Sequence, residues 1–328
     1  MANKVLVIFT GGTIAMKVDK NIDAVVPSIG SNELIGMIKE LDELTEIEVK
    51  DFANIPSSHM SPNHMLDLAN IIKGNIDRPD LTGIIVIHGT DLLEETAYFL
   101  DLIINSKKPI ILLGSMRNNS DLGYDGGGNL YAGIHTACCP EAKNKGVLIV
   151  MDDEIHTARY ATKTNTVKTD TFKSPELGPI GVFSNNRVIF YMDSLRREFI
   201  DTNTIENKVA LIKAAAGMES DIIDFYLENG YKGLVIEALG CGNLPPGMLD
   251  GVRDAIKKDI PVVLVSRCLN GAVEPVYGYE GGGKNLLALG VIFGGNNLGH
   301  KARIKLMLVL GRTRNIDKIR AYFPQYLL

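Results

Sequence analysis

The chain has 328 residues, 45% of them hydrophobic and 22% charged, with a formal net charge of −5. That length suits two domains and lies near the upper size of a single core, and the composition is ordinary for a soluble globular protein. The slight acidity and the lack of a basic cluster interleaved with aromatics argue against nucleic acid and anionic membrane as partners, and no apolar run reaches the length that spans a bilayer.

Met1-Ala2-Asn3-Lys4 passes straight into an apolar run, without the charged, apolar and cleavage-site segments of a secretory leader, so a cytoplasmic protein is expected. Residues 5–9 have the length and β-branched content of a buried parallel strand. The turn that follows, Thr10-Gly11-Gly12-Thr13-Ile14-Ala15, puts two hydroxyls and two glycines at the carboxyl end of that strand, where open α/β sheets collect ligands. Glycines allow close backbone approach, and threonines supply oxygens that can bond or attack a substrate. The pattern lacks the glycine spacing of a dinucleotide site and the Gly-Lys-Ser/Thr of a P-loop, which points to hydroxyl chemistry instead. Residues 17–30 mix charges, a proline and small residues; they read as a mobile loop suited to cover a site at Thr13.

Further along, a helical pattern covers residues 32–41 and another 63–73. A second strand at 84–87 ends in His88-Gly89-Thr90-Asp91, followed by a helix over 94–105, so two strand ends deliver Gly-Thr to what can be one face of one sheet. Asp91 followed by Glu94 also reads as an ordinary acidic helix start. Strands are expected at 110–113, 147–151, 209–212, 234–236 and 262–265, with a helix over 246–257. The alternation predicts a doubly wound α/β architecture: a mostly parallel sheet in a large N-terminal domain, residues 1–190, and a smaller α/β C-terminal domain, residues 208–328. The polar stretch 191–207 between them reads as the linker. Gly126-Gly127-Gly128 and Gly281-Gly282-Gly283 are placed in loops. Cys138, Cys139, Cys241 and Cys268 have no metal-ligand spacing and are expected to be reduced structural thiols. Neither a metal nor an organic cofactor is implied.

Lys163 lies among Thr162, Thr164 and Asn165, small polar residues that leave room for the amine to turn inward and accept a proton. At Thr90-Asp91 a hydroxyl can handle protons and a carboxylate can hold both a lysine and a substrate's α-ammonium.

The blocks TGGTIA at 10–15, HGTDLLEETA at 88–97 and TKTNT at 162–166 resemble, in order and spacing, those of the bacterial L-asparaginase family, amidohydrolases that use threonine nucleophiles. Gly114-Ser115-Met116-Arg117, Phe172-Lys173-Ser174-Pro175, Gly178-Pro179, the 240–243 turn and Lys301-Ala302-Arg303-Ile304-Lys305-Leu306 fit as well, so the resemblance runs from about residue 4 to about residue 323. It implies hydrolysis of asparagine to aspartate and ammonia, with Thr13 as the nucleophile, Thr10 in support, and Thr90, Asp91 and Lys163 as the catalytic cluster. It also implies substrate contacts from Ser57, with Ser58 sharing the task if the register slips by one, from Thr90 and Asp91, and from the Ser115 carbonyl. Asn243 would serve a neighbouring subunit's site, in a homotetramer of tight dimers. Two positions depart from the family pattern: residues 17–30 hold no tyrosine, and Leu92 stands where threonine is common. Other readings are a glutamine-preferring amidase, an ammonia-supplying component, or a non-catalytic amino-acid sensor that kept the pocket. The ammonia-supplying component usually carries an extra N-terminal domain, whereas here the first strand opens the chain.

Overall fold

The computed structural model describes residues 4–19, 21–38, 41–193 and 197–324. Its first strand, β1 (Lys4–Phe9), has Val5, Leu6, Val7 and Ile8 fully buried, as a strand covered on both faces requires. The stretch read as a mobile loop is instead an antiparallel hairpin, β2 (Met16–Asp19) with β3 (Ala24–Pro27), in which Lys17 faces Val26 and Val18 faces Val25. Lys20 lies outside the described residues.

Two short helices follow, α1 (Ser31–Gly36) and α2 (Leu41–Leu44), in place of the single helix expected over 32–41. Then come β4 (Glu46–Asp51), α3 (Pro62–Asn75), β5 (Leu81–Ile87), α4 (Leu93–Ile103), β6 (Ile110–Leu113), α5 (Gly126–Cys138) and β7 (Val147–Met151). β4, β1, β5, β6 and β7 lie side by side and parallel. The sheet then continues antiparallel through β8 (Glu154–Thr157), skips the two-stranded ribbon β9 (Thr162–Lys163) and β10 (Phe172–Lys173), and ends in β11 (Gly181–Ser184) and β12 (Arg187–Phe190). The sheet is therefore mostly parallel, with an antiparallel margin.

Gly126, Gly127 and Gly128 form the first turn of α5 rather than a loop. A Cβ on Gly126 would lie 2.3 Å from the Tyr124 hydroxyl and 2.6 Å from Ile14 Cγ1, so this helix start packs too tightly for a side chain. Gly283 likewise opens a helix, and a Cβ on Gly282 would meet the Tyr277 carbonyl oxygen at 2.5 Å. Gly126 and the three glycines of the second run serve close packing, which from sequence resembles loop composition, whereas Gly127 and Gly128 have open space around them.

The chain divides into two compact units, Met1–Phe199 and Ile200–Leu328. Within the second, β13 (Val209–Lys213), β14 (Gly233–Ala238), β15 (Val262–Ser266) and β16 (Ile292–Phe293) form a parallel four-stranded sheet. The unit also holds helices α6 (Asp221–Glu228), α7 (Leu249–Lys257), α8 (Gly283–Leu289), α9 (Gly299–Arg312) and α10 (Ile316–Ala321). Leu234, Ile236, Leu249, Val252 and Leu264 centre its core. The stretch 191–207 is anchored at each end within its own unit. Arg197 bonds Asp101 and the Ile104 carbonyl in the first, and the Thr204 hydroxyl donates to the Gly311 carbonyl in the second. The four cysteines are free thiols; burial pushes the Cys139 thiol up to about 11 and raises that of Cys138.

Candidate active site

The carboxyl ends of β1 and β5 meet through glycine backbone. Gly11 and Gly12 take φ values of 99° and 94°, which glycine alone adopts without strain. A Cβ on Gly12 would lie 2.3 Å from the Cα of Gly89, and one on Gly89 would lie 2.8 Å from both Cβ and Oγ of Ser57. One on Gly11 would meet the Ile55 nitrogen at 2.6 Å. The segment carrying Ser57 and the two strand ends therefore close on one point. Thr10 locks the junction, its backbone nitrogen and its hydroxyl both donating to the Ile87 carbonyl, the hydroxyl at 2.9 Å.

Thr13 and Thr90 each follow one of the touching glycines. Thr13 opens a short 3-10 turn, Thr13–Ala15, and is half-buried; its Oγ1 makes no protein hydrogen bond among the described residues. Thr90 is buried, and the turn after β6 closes on it, since a Cβ on Gly114 would sit 3.5 Å from Thr90 Cγ2.

Lys163 reaches this point from the β9–β10 ribbon. Its Nζ donates to Thr90 Oγ1 at 3.0 Å and to Asp91 Oδ1 at 2.7 Å. The ribbon is stiffened by its own polar residues: Thr164 Oγ1 donates to the Thr171 carbonyl at 2.8 Å, and Asn165 Oδ1 accepts from the Val167 and Lys168 amides. The Lys163 side chain is 17% exposed while that of Asp91 is 65% exposed, so the amine is sheltered and the carboxylate faces solvent. Asp91, Glu94, Lys163, Thr164, Asn165 and Thr166 line a cavity of about 390 Å³ there. Asp91 is not a helix cap, because α4 is preceded by Leu92 and receives no side-chain capping bond.

Ser57 is buried in the turn Ser57–His59, and its Oγ accepts the Asp91 amide at 3.1 Å. Ser58 is exposed and makes no such contact. Ser115 is buried, its hydroxyl donating to the Arg117 carbonyl at 2.7 Å. Asp125 holds the Ser115 turn by accepting from the Met116 and Arg117 amides at 2.9 Å each. Asn243, in the second unit, closes a turn in which Gly240 and Gly242 take φ values of 52° and 116°. Its Oδ1 is buried without a hydrogen-bond partner among the described residues, an orphaned acceptor available to a donor from outside the turn.

Two residues that the sequence reading passed over complete the arrangement. Glu94, read as a helix-start acid, accepts the Lys163 backbone amide on Oε1 at 3.1 Å and so fixes where the lysine begins. Its spacing of one helical turn from Asp91 was the available signal. His88 lies fully buried beneath Gly89; its Nδ1 is 2.7 Å from the Gly89 carbonyl and its Nε2 3.0 Å from Thr96 Oγ1. The carbonyl can only accept, which assigns the ring proton to Nδ1 and leaves Nε2 to accept from Thr96. Burial pulls the His88 pKa down to about 4, against the small rise from its bond to Gly89, so the ring is a neutral brace. Among the described residues no three His, Cys, Asp or Glu side chains converge to hold a metal ion.

The family model described as Asparaginase, N-terminal matches residues 4–196, and that of the Glutaminase/Asparaginase C-terminal domain matches residues 208–323. The chain belongs to the asparaginase family. This asparaginase-family chain is 36% identical over 330 residues to L-asparaginase 2 of Bacillus subtilis (strain 168), covering 98% of this chain and 86% of that protein. It is 33% identical over 331 residues to a glutamyl-tRNA(Gln) amidotransferase component of Pyrococcus horikoshii, covering 96% of this chain and 74% of the relative. The crystal structure of a probable cytoplasmic L-asparaginase from Campylobacter jejuni superposes with a TM-score of 0.88 at 32% identity, over 99% of this chain and all of that one.

Proposed function

We propose that this family member is an L-asparagine amidohydrolase, releasing L-aspartate and ammonia through an ester on Thr13. The observation that carries the reading is Lys163 Nζ bonded at once to Thr90 Oγ1 and Asp91 Oδ1, beside the Gly12–Gly89 contact that positions Thr13. Thr13 Oγ1 bonds to the side-chain amide carbon of the substrate, and backbone N–H groups beside Thr13 and Thr90 receive the developing oxyanion. The C–N bond then breaks, the leaving nitrogen takes up the proton given up by Thr13, and ammonia departs. Water adds to the ester carbon, its proton drawn off through Thr90 and Lys163, and Thr13 leaves with a proton as aspartate forms. This route needs neither metal nor organic cofactor.

The exposed Asp91 carboxylate suits the substrate's α-ammonium, and Ser57 its α-carboxylate. We assign supporting contacts to the Ser115 carbonyl and to Asn243, and a homotetramer as the assembly, which sedimentation of the purified chain tests. The cytoplasm is the compartment, in line with the probable cytoplasmic enzyme of Campylobacter jejuni. Similarity to an amidotransferase component favours one second reading, an amidase that delivers ammonia or prefers glutamine. Steady-state ammonia release from L-asparagine and L-glutamine separates the two: a higher kcat/KM for asparagine supports the first reading, a higher one for glutamine the second. Binding of both amides without ammonia release overturns both and leaves a sensor.

A further inference from the structure

The loop after β6 grips the turn that carries Thr13, and the strand β2 that follows it, at three successive points. The Tyr124 hydroxyl donates to the Ile14 carbonyl at 2.9 Å, the Asn119 amide donates to the Met16 carbonyl at 3.0 Å, and Ser120 Oγ accepts the Val18 amide at 3.1 Å. The first grip is the most elaborate. Ile14 is the residue after Thr13, inside the 3-10 turn Thr13–Ala15, which is closed by the Ala15 amide on the Gly12 carbonyl at 3.0 Å and by the Met16 amide on the Thr13 carbonyl, while the Ala15 carbonyl accepts the Ser28 and Ile29 amides. Such a short turn has little rigidity of its own, and its central carbonyl, which neither internal bond engages, is held by a donor from outside.

The loop is shaped to bring the phenol there. Asp125, next to Tyr124, accepts the Met116 and Arg117 amides and the Asn129 side-chain amide at 3.1 Å. Asp121 accepts the Asn118 amide at 3.0 Å, and Arg117 Nη1 donates to the Gly123 carbonyl at 2.9 Å. Gly126 leaves the space: a Cβ there would stand 2.3 Å from the Tyr124 hydroxyl oxygen, 2.4 Å from its Cζ and 2.6 Å from Ile14 Cγ1. Burial keeps the phenol protonated, raising its pKa well above that of free tyrosine, with the Asn119 side chain opposing and the Asp125 charge adding to the rise. It is a fixed donor throughout the neutral range.

We propose that Tyr124 is a positioning residue for the nucleophile: by donating to the Ile14 carbonyl through the gap at Gly126, it holds the Thr13–Ala15 turn so that Thr13 Oγ1 faces the substrate carbon. The inference deepens the amidohydrolase reading and rests on Thr13 being the nucleophile. Tyr124→Phe removes the donor and keeps the ring. In the full-length protein, amide exchange in a peptide spanning residues 10–16 should quicken about tenfold or more, while peptides from β5 and β6 keep their rates. The kcat for asparagine should fall by about tenfold or more with KM within about twofold, since small misplacement of a reacting atom costs rate rather than affinity. Gly126→Ala, which displaces the same phenol, should reproduce both changes. An active enzyme whose kcat stays within about twofold in Tyr124→Phe overturns the proposal, as does unchanged exchange in the 10–16 peptide. Quickened exchange in a protein that releases no ammonia even as the parent leaves the anchoring of the turn standing and refutes the amidohydrolase reading instead.

Discussion

Gly12 and Gly89 touch backbone to backbone: a Cβ on Gly12 would lie 2.3 Å from Gly89 Cα and 2.4 Å from its nitrogen. This contact is why residues 77 positions apart in sequence, Thr13 and Thr90, leave their strands from one place. Neither partner can yield by turning a side chain, and Gly12 also holds a φ of 94°. Gly12→Ala is therefore expected to destabilise the chain by about 2 kcal/mol or more, the range of backbone strain added to overpacking. Denaturant midpoints of the two proteins check this, and equal midpoints would show that the strand ends do not need to touch.

Lys163→Met keeps the length of the stem and removes the amine that bonds Thr90 and Asp91. Turnover of asparagine should fall by about 100-fold or more, the usual weight of a general base, while aspartate binding changes far less. Normal turnover at saturation with weakened aspartate binding would make Lys163 a binding residue.

Ser57 and Ser58 divide cleanly by environment, the first buried against Gly89 and bonded to the Asp91 amide, the second exposed. Ser57→Ala should raise KM about tenfold, the effect of losing a hydrogen bond to a charged group, and Ser58→Ala should leave KM within about twofold. The reverse pattern would shift the register of the substrate site by one residue.

His88 supplies a pH dependence of stability. Its folded pKa of about 4 lies below the ordinary 6.5, so between these values the unfolded chain binds the proton that the folded one refuses. The contribution is fully present above about pH 6.5 and is lost as pH falls towards 4, to an extent on the order of 3 kcal/mol. Urea unfolding of the parent and of His88→Gln at pH 7 and pH 4.5 tests the sign: the variant should lose less stability on acidification. A steeper loss in the variant would contradict a neutral buried ring.

Apart from β4 and the two-residue β16, the parallel strands were readable because strands buried on both faces are continuous apolar runs, as in Val5-Leu6-Val7-Ile8 and Ile84-Ile85-Val86-Ile87. β4 was not, since Glu46-Ile47-Glu48-Val49-Lys50-Asp51 is an edge strand whose charges pair outward; Lys4, for instance, bonds Glu46 at 2.8 Å. β8, β11 and β12 are short and antiparallel at the other margin, and their half-exposed alternation gives little signal over four residues each. The charges around 191–207 looked like those of a solvated linker, yet Glu198 takes the Arg159 guanidinium at 2.8 Å with both side chains nearly buried, a pairing only the fold can create. At the site, hydroxyl, carboxylate and amine were visible as types in three ordered blocks. The roles of Glu94 and Tyr124 were not, because each acts on a backbone group, at Lys163 and Ile14, whose proximity no local pattern encodes.

The central claim is that Thr13 forms an ester with the substrate. Mass spectrometry of the protein quenched during turnover of asparagine tests it most directly, with Thr13→Ala measured alongside. The account predicts an aspartyl adduct on the peptide that contains Thr13, no adduct in Thr13→Ala, and a turnover in that variant reduced by several orders of magnitude, as loss of a covalent nucleophile requires. Ammonia release by Thr13→Ala above about a tenth of the parent rate, or an adduct on Thr90 in its place, would contradict it.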